Sequence, residues 1–271
     1  YFILVDVLMN LIEKEMLDVL KSLKNDFGVD AIKAEFEAEG TRIDELLRLV
    51  ELVRKCDLKL GIKIGGCEAM KDLMECKQIG VDYIIAPMVE TSYALKKFIE
   101  AKNKIYSDEE KKFTSFLINT ETLQTLKNMH EISEEAIKNK NDFDGFVFGR
   151  VDFSLSSGFS RDDINSEKVT NQVLKVSEIC KNNSFDFVVG GGVSVDALPH
   201  LKKIRDCHLT RFETRKVIFS SDALGISNLD QGMLQAVKFE LLWLKNKKNY
   251  YETIFKEDDS RIKMLSDRWK V

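Results

Sequence analysis

Asp30-Ala31-Ile32-Lys33-Ala34-Glu35-Phe36-Glu37, followed by a segment over residues 43–55 and then by Lys59-Leu60-Gly61-Ile62-Lys63-Ile64, decides the fold. The first segment alternates: Ile32, Ala34 and Phe36 form one face, and Lys33, Glu35 and Glu37 the other. A period of two marks a strand, because successive side chains leave opposite faces of a sheet. Between residues 43 and 55, Ile43, Leu46, Leu47, Val50 and Val53 recur at helical spacing and share one face. Residues 59–64 then return to strand. A strand, a helix and a second strand form a βαβ unit, and repeated units build a parallel sheet.

The same alternation runs outward along the chain. Strands are predicted at 82–86, 114–118, 145–148, 185–189 and 208–213, and helices at 68–78, 91–102, 122–132, 169–182, 197–204 and 229–245. With the opening pair this makes seven strands. Residues 1–5 are either an eighth strand or part of a helix reaching Lys24. Seven or eight such units favour closure, so the expected fold is α/β: one (β/α)₈ TIM barrel spanning 1–271, with a C-terminal helical extension over about 229–271. An open doubly wound sheet is the alternative, but no Gly-x-Gly-x-x-Gly follows the first strand. Residues 102–112 are polar and read as a surface loop.

Composition narrows the class. The 271 residues are 44% hydrophobic and 32% charged, with 41 basic against 45 acidic side chains. That balance argues against nucleic-acid binding, which needs clustered Lys and Arg. Asp6, Asn10, Glu13 and Lys14 interrupt the apolar opening, and a membrane span needs about 20 mostly apolar residues. The five cysteines are odd in number and none makes a Cys-x-x-Cys, so reduced thiols in a cytoplasmic protein are expected. The chain opens on Tyr1 rather than Met, so a preceding piece is expected to be missing.

The alternation predicts that Lys33, Glu35 and Glu37 point into the barrel, joined by Lys63 from the second strand. Arg211, Glu213 and Arg215 are candidates from the late strand. Buried charge is costly unless paired. The inward set is therefore either a structural ion-pair network or a charged site at the strand ends, where barrel sites lie. Glu121 and Asp152 each follow a strand. Adjacent strands lie about 4.8 Å apart, so these carboxylates either share one divalent cation or serve as helix-start and turn residues. Gly190-Gly191-Gly192 follows the 185–189 strand. It is either a tight turn or a place where a phosphate or a CoA pyrophosphate reaches Gly191 and Gly192. Arg215 either anchors an anion or forms a surface ion pair.

Three segments carry a resemblance: Ala86-Pro87-Met88-Val89-Glu90-Thr91, Asn119-Thr120-Glu121-Thr122, and Phe146-Val147-Phe148-Gly149-Arg150-Val151-Asp152-Phe153-Ser154-Leu155-Ser156-Ser157-Gly158. Together they resemble the HpcH/HpaI aldolase and citrate lyase β-subunit family, from about Asp30 to Gly158. The resemblance implies a metal-dependent lyase that makes or breaks carbon–carbon bonds next to a carboxylate. By motif, Glu121 and Asp152 would hold Mg²⁺ or Mn²⁺ and Gly149 would lend backbone to the oxo-acid site. Two departures stand out. Lys63 occupies the usual place of an arginine, giving a point charge in place of a planar fork. Phe36-Glu37 stands where aldolase members carry a histidine.

Three readings follow. In the first, a metal-dependent carbon–carbon lyase acts on a small 2-oxo acid or acyl-CoA-like substrate. Lys63 acts with Glu35 and Glu37 in catalysis, and Lys33, Gly149, Arg150, Gly191, Gly192 and Arg215 bind substrate. In the second, Lys33 or Lys63 forms a Schiff base. In the third, the barrel is a non-catalytic binding or oligomeric module. The expected partners are a small anionic substrate and further copies of the chain in a homo-oligomer, with no nucleic acid and no membrane.

Overall fold

The computed structural model describes residues 9–269. Helix α1 (Leu11–Phe27) comes first. Asn10 caps it by accepting from the Glu13 amide at 2.9 Å, and Gly28 ends it in left-handed backbone at φ 66°. Then follow β1 (Val29–Glu35), α2 (Ile43–Lys55), β2 (Lys59–Lys63), α3 (Met70–Ile79), β3 (Tyr83–Ala86), α4 (Ser92–Ile105), β4 (Ser115–Thr120), α5 (Leu123–Lys127) and α6 (Met129–Lys138). The second half adds β5 (Gly145–Gly149), α7 (Arg150–Ser156), α8 (Glu167–Asn183), β6 (Asp186–Gly190), α9 (Leu198–Cys207), β7 (Arg211–Glu213), β8 (Val217–Ser220) and α10 (Leu229–Trp269).

The strands close into a barrel in chain order. Closure excludes the open sheet. Strands β1 to β7 are parallel, whereas β8 runs antiparallel to both β7 and β1. The reason is the length of the connection. Only Thr214, Arg215 and Lys216 separate β7 from β8, and a parallel return needs a crossover of a dozen or more residues. Thr214 locks the hairpin: its amide donates to the Val217 carbonyl at 2.9 Å, and the Val217 amide donates to Thr214 Oγ1 at 3.0 Å. This eighth strand is not among those the sequence predicts. The candidate strand at 1–5 lies outside the described residues.

The alternation in β1 holds. Ile32 and Ala34 join the large apolar layer between strands and helices, together with Leu60, Ile62, Phe146 and Phe148. A separate, smaller cluster fills the barrel: Ala31, Tyr83, Ile85, Leu117, Val147, Val188 and Ile218. On α2, Leu46, Leu49, Val50, Leu52 and Val53 are buried, whereas Ile43 and Leu47 stay exposed. Each fully buried leucine here contributes about 1.5–3 kcal/mol relative to exposure.

Polar groups close the floor of the barrel. The Tyr83 hydroxyl donates to Asp30 at 2.6 Å and accepts from Lys59 at 2.8 Å. Arg211 pairs with Asp186 at 2.5 Å and lies over the Tyr83 ring, 4.4 Å from its centroid. The segment expected as a loop at 102–112 begins inside α4. Lys102 there is buried, 2.9 Å from Asp142. The C-terminal extension is one continuous helix of 41 residues rather than several. Among the described residues no helix is long and apolar enough to cross a membrane.

Candidate active site

A cavity of about 560 Å³ opens at the C-terminal ends of the strands. Its wall carries Glu35 at the end of β1, Glu37 just beyond, Lys63 at the end of β2, Glu121 just past β4, Gly149 at the end of β5, and Glu213 at the end of β7. The parallel register explains the meeting of the first two strands, because Glu35 stands directly beside Lys63.

Glu121 is the most constrained of these groups. Its residue is 1% exposed. Oε2 accepts from Asn119 Nδ2 and lies 3.4 Å from Lys63 Nζ, while Oε1 accepts from the Met88 amide at 3.0 Å. Met88 holds a positive φ of 51°. That conformation costs a non-glycine residue about 1–2 kcal/mol, and here it accompanies an amide aimed at the carboxylate. Gly149 is required for the same reason. A Cβ on it would fall 2.9 Å from Glu121 Cβ and 3.0 Å from Oε2.

The two lysines have different partners. Lys33 pairs with Glu213 and lies 3.6 Å from Glu35. Lys63 lies 3.1 Å from Glu37. Burial alone would lower both lysines, but Glu213 and Glu35 around Lys33, and Glu121 and Glu37 around Lys63, raise them above the ordinary value. Both are held as ammonium ions.

Asp152 sits in the first turn of α7, lines the cavity and is exposed. Among the described residues its carboxylate makes no hydrogen bond or ion pair. Gly191 and Gly192 line the cavity with positive φ, but their closest neighbours come from the adjacent segments. A Cβ on Gly191 would meet the Arg150 amide nitrogen at 2.6 Å, and one on Gly192 would meet Ile164 Cδ1 at 2.4 Å. These glycines let the β6 turn pack against the start of α7. Arg215 stands at the rim, paired with Glu39 at 3.0 Å.

Arg150 is placed differently from the sequence expectation. Its side chain is buried outside the cavity wall, donating to the Gly190 carbonyl at 3.3 Å and to Asn165 Oδ1 at 2.8 Å. Burial pushes its pKa down to about 10. The cause is local. The chain turns from β5 directly into α7 at Arg150, so strand alternation no longer governs where the side chain goes. Asn119 belongs to the site although sequence reasoning did not select it, and Glu213, an inward candidate of the late strand, lines it as well. Asn119 stands two residues before Glu121, on the same strand face, and Glu213 shares the inward face of β7 with Arg211.

The donor set fits a divalent cation. The cavity wall carries six carboxylates (Glu35, Glu37, Glu121, Asp152, Glu213 and Glu240) against four cations (Lys33, Lys63, Arg161 and Arg215). Three acceptors in it, Glu37 Oε2, Asn119 Oδ1 and Glu213 Oε2, are buried without a hydrogen bond, although Lys63 Nζ lies 3.1 Å from Glu37 Oε2. Mg²⁺ is commonly held by only one or two carboxylates, with water and substrate completing the shell. No group of three or more His, Cys, Asp or Glu side chains suited to a metal forms among the described residues.

A charged cavity at the carboxyl ends of parallel strands places this molecule among the barrels that carry their site on that face. The chain belongs to the HpcH/HpaI aldolase/citrate lyase family, whose model matches residues 30–197. Solved structures share the fold. An HpcH/HpaI aldolase from Desulfitobacterium hafniense DCB-2 is 12% identical, with a TM-score of 0.59 over 85% of this chain and 89% of that one. An HpcH/HpaI aldolase/citrate lyase family protein from Burkholderia cenocepacia J2315 is 13% identical, with a TM-score of 0.57 over 83% and 90%. No curated protein matches the chain by sequence. The family is one of lyases, and membership supports a lyase here.

Proposed function

We propose that this protein is a metal-dependent carbon–carbon lyase acting on a small 2-oxo acid or an acyl-CoA-like substrate through an enolate. The observation that carries the reading is the convergence of Glu121, Asp152 and Lys63 on one cavity at the strand ends. Glu121 and Asp152 would hold Mg²⁺ or Mn²⁺, which when bound polarises substrate oxygens as a Lewis acid. Lys63 holds the substrate carboxylate and offers fixed positive charge to the oxygen that becomes negative as the enolate forms. Preorganised charge of this kind acts strongly in a water-poor site. In cleavage the hydroxyl of the departing carbon gives up its proton and becomes a carbonyl, and the bonding electron pair stays on the carbon next to the substrate's carbonyl as the enolate. Glu37, half-buried beside Lys63, carries the proton between that hydroxyl and this carbon. Glu35 and Glu213 hold Lys33 in the wall, and Arg215 offers charge at the rim for a second anionic group.

The Schiff-base route is disfavoured by the same lysines. A nucleophilic amine needs a lowered pKa, whereas Lys33 and Lys63 are both raised by their carboxylate partners. The test is the double variant Glu121→Gln/Asp152→Asn, titrated with Mn²⁺ by calorimetry and assayed for cleavage of 4-hydroxy-2-oxo acids and acyl-CoA esters. The expected result is metal affinity and turnover each lower by at least about 100-fold. Unchanged Mn²⁺ affinity would remove the metal from the reading. Borohydride trapping of a covalent adduct in the parent protein would replace it with the Schiff-base route.

A further inference from the structure

Helix α10 is longer than the barrel that supports it. Its first half buries Met233, Ala236, Phe239, Leu242 and Trp243. From Thr253 to Trp269 every residue is exposed. Most helical stability in proteins comes from packing an apolar face, and this unpacked stretch carries Phe255, Ile262, Leu265 and Trp269. These residues continue a stripe that begins over the barrel with Leu234, Val237, Leu241 and Leu244, all about half exposed or more. With Tyr251, which is half-buried with its hydroxyl donating to Glu45, the stripe advances by alternating steps of three and four. That is the seam spacing of a coiled coil. Lys248 and Asp258 are its polar interruptions.

The flanking charges select the occupant. Lys238 and Lys245 precede Glu252 and Asp259 along one flank, so that flank is cationic over the barrel and acidic in the projecting half. On the other flank Glu240 lies over the barrel and Arg261 in the projection. Lys245, Glu240, Asp259 and Arg261 make no hydrogen bond or ion pair among the described residues, while Lys238 pairs with Glu15 and Glu252 with Lys256, each at 2.7 Å. We infer that α10 pairs antiparallel with α10 of a second copy of this chain, about a twofold axis between Asn249 and Tyr250.

That one register satisfies both flanks. Lys238 faces the partner's Asp259, Lys245 faces the partner's Glu252, and Glu240 faces the partner's Arg261, each pair occurring twice. A parallel alignment would instead set Lys248 against its own copy and Asp258 against its own copy across the seam, with like charges opposed. In the antiparallel register Lys248 meets the partner's Tyr251 and Asp258 meets the partner's Leu241. Polar seam residues of this kind fix register at some cost in stability. The pairing also reaches the cavity. Val237 and Glu240 line its mouth, so the partner's Arg261 adds a guanidinium at the rim.

The test is sedimentation of the full chain across a concentration series. The parent should be dimeric. The variant Arg261→Glu/Asp259→Lys opposes like charges at four contacts in the antiparallel register, and its dimer dissociation constant should rise at least about tenfold. In a parallel pair these positions face Ser266 and Ile254, and the same variant should change little. Adding Lys238→Glu and Glu240→Arg restores opposite charges and should recover the dimer. A parent that stays monomeric overturns the inference. So does a dimer indifferent to Arg261→Glu/Asp259→Lys, which would assign the stripe to a parallel pair or another surface to the contact.

Discussion

The floor and the mouth of the barrel are both lined with ionisable side chains, but they treat them differently. On the floor, Asp30, Lys59, Tyr83, Asp186 and Arg211 are all hydrogen-bonded or ion-paired with one another. At the mouth, Asp152 has no partner among the described residues, and Asn119 Oδ1 and Glu213 Oε2 are buried without one. Acids there also outnumber cations. Closed polar networks hold a structure together, whereas buried acceptors left open are expensive and need a ligand to account for them. The comparison separates charges that serve the fold from those that serve the site.

The largest effect should come from breaking the floor. Arg211→Met leaves the half-buried Asp186 without its cation and uncovers the Tyr83 ring, and losing a hydrogen bond between charged groups costs about 1.5–3 kcal/mol. Urea unfolding should show that loss, while the KM of the folded fraction stays unchanged. A change in KM at full stability would mean the floor belongs to the site. Gly149→Ala sharpens the contrast from the other side. The new Cβ would press on the Glu121 side chain, so about 1–3 kcal/mol of stability should be lost together with Mn²⁺ affinity. Loss of stability alone would show that Glu121 is positioned for packing only.

The smallest effect is a pH dependence at Lys33. Its folded-state pKa is raised above the ordinary 10.5, against burial, by Glu213 and Glu35. A raised lysine contributes stability that is fully present below its unfolded pKa and is lost as pH rises through the folded value. The difference in unfolding free energy between the parent and Lys33→Met should therefore stay level from neutral pH to about pH 10 and shrink above it. A difference that shrinks already below pH 9 would place the folded pKa of Lys33 under its ordinary value and reopen the Schiff-base route.

How far the sequence reached depended on the range of each interaction. Alternation in β1 exposed the inward Lys33, Glu35 and Glu37, because side-chain direction in a strand is a local property. The seven parallel strands were legible for the same reason. Strand β8 was not, since four residues after a three-residue turn carry too short a pattern to register. The pairing of Lys33 with Glu213 joins positions 180 residues apart and exists only once β1 and β7 close around β8. Arg150 lies apart from the cavity wall because helix α7 begins at that residue and redirects its side chain. The helical C-terminal extension was legible, but its continuity as one helix was not, because its apolar stripe divides between a face on the barrel and one in solvent.

The central claim is that the mouth of the barrel binds a divalent metal and an oxo acid together. Its most direct test is the thermal midpoint of the parent protein with Mg²⁺ or Mn²⁺, with pyruvate or oxaloacetate, and with both. A ligand that binds only the folded state raises the midpoint. The account predicts a rise with metal that grows when the oxo acid is added, and no rise with the oxo acid alone. No shift under any combination, or an oxo-acid shift indifferent to metal, would contradict it.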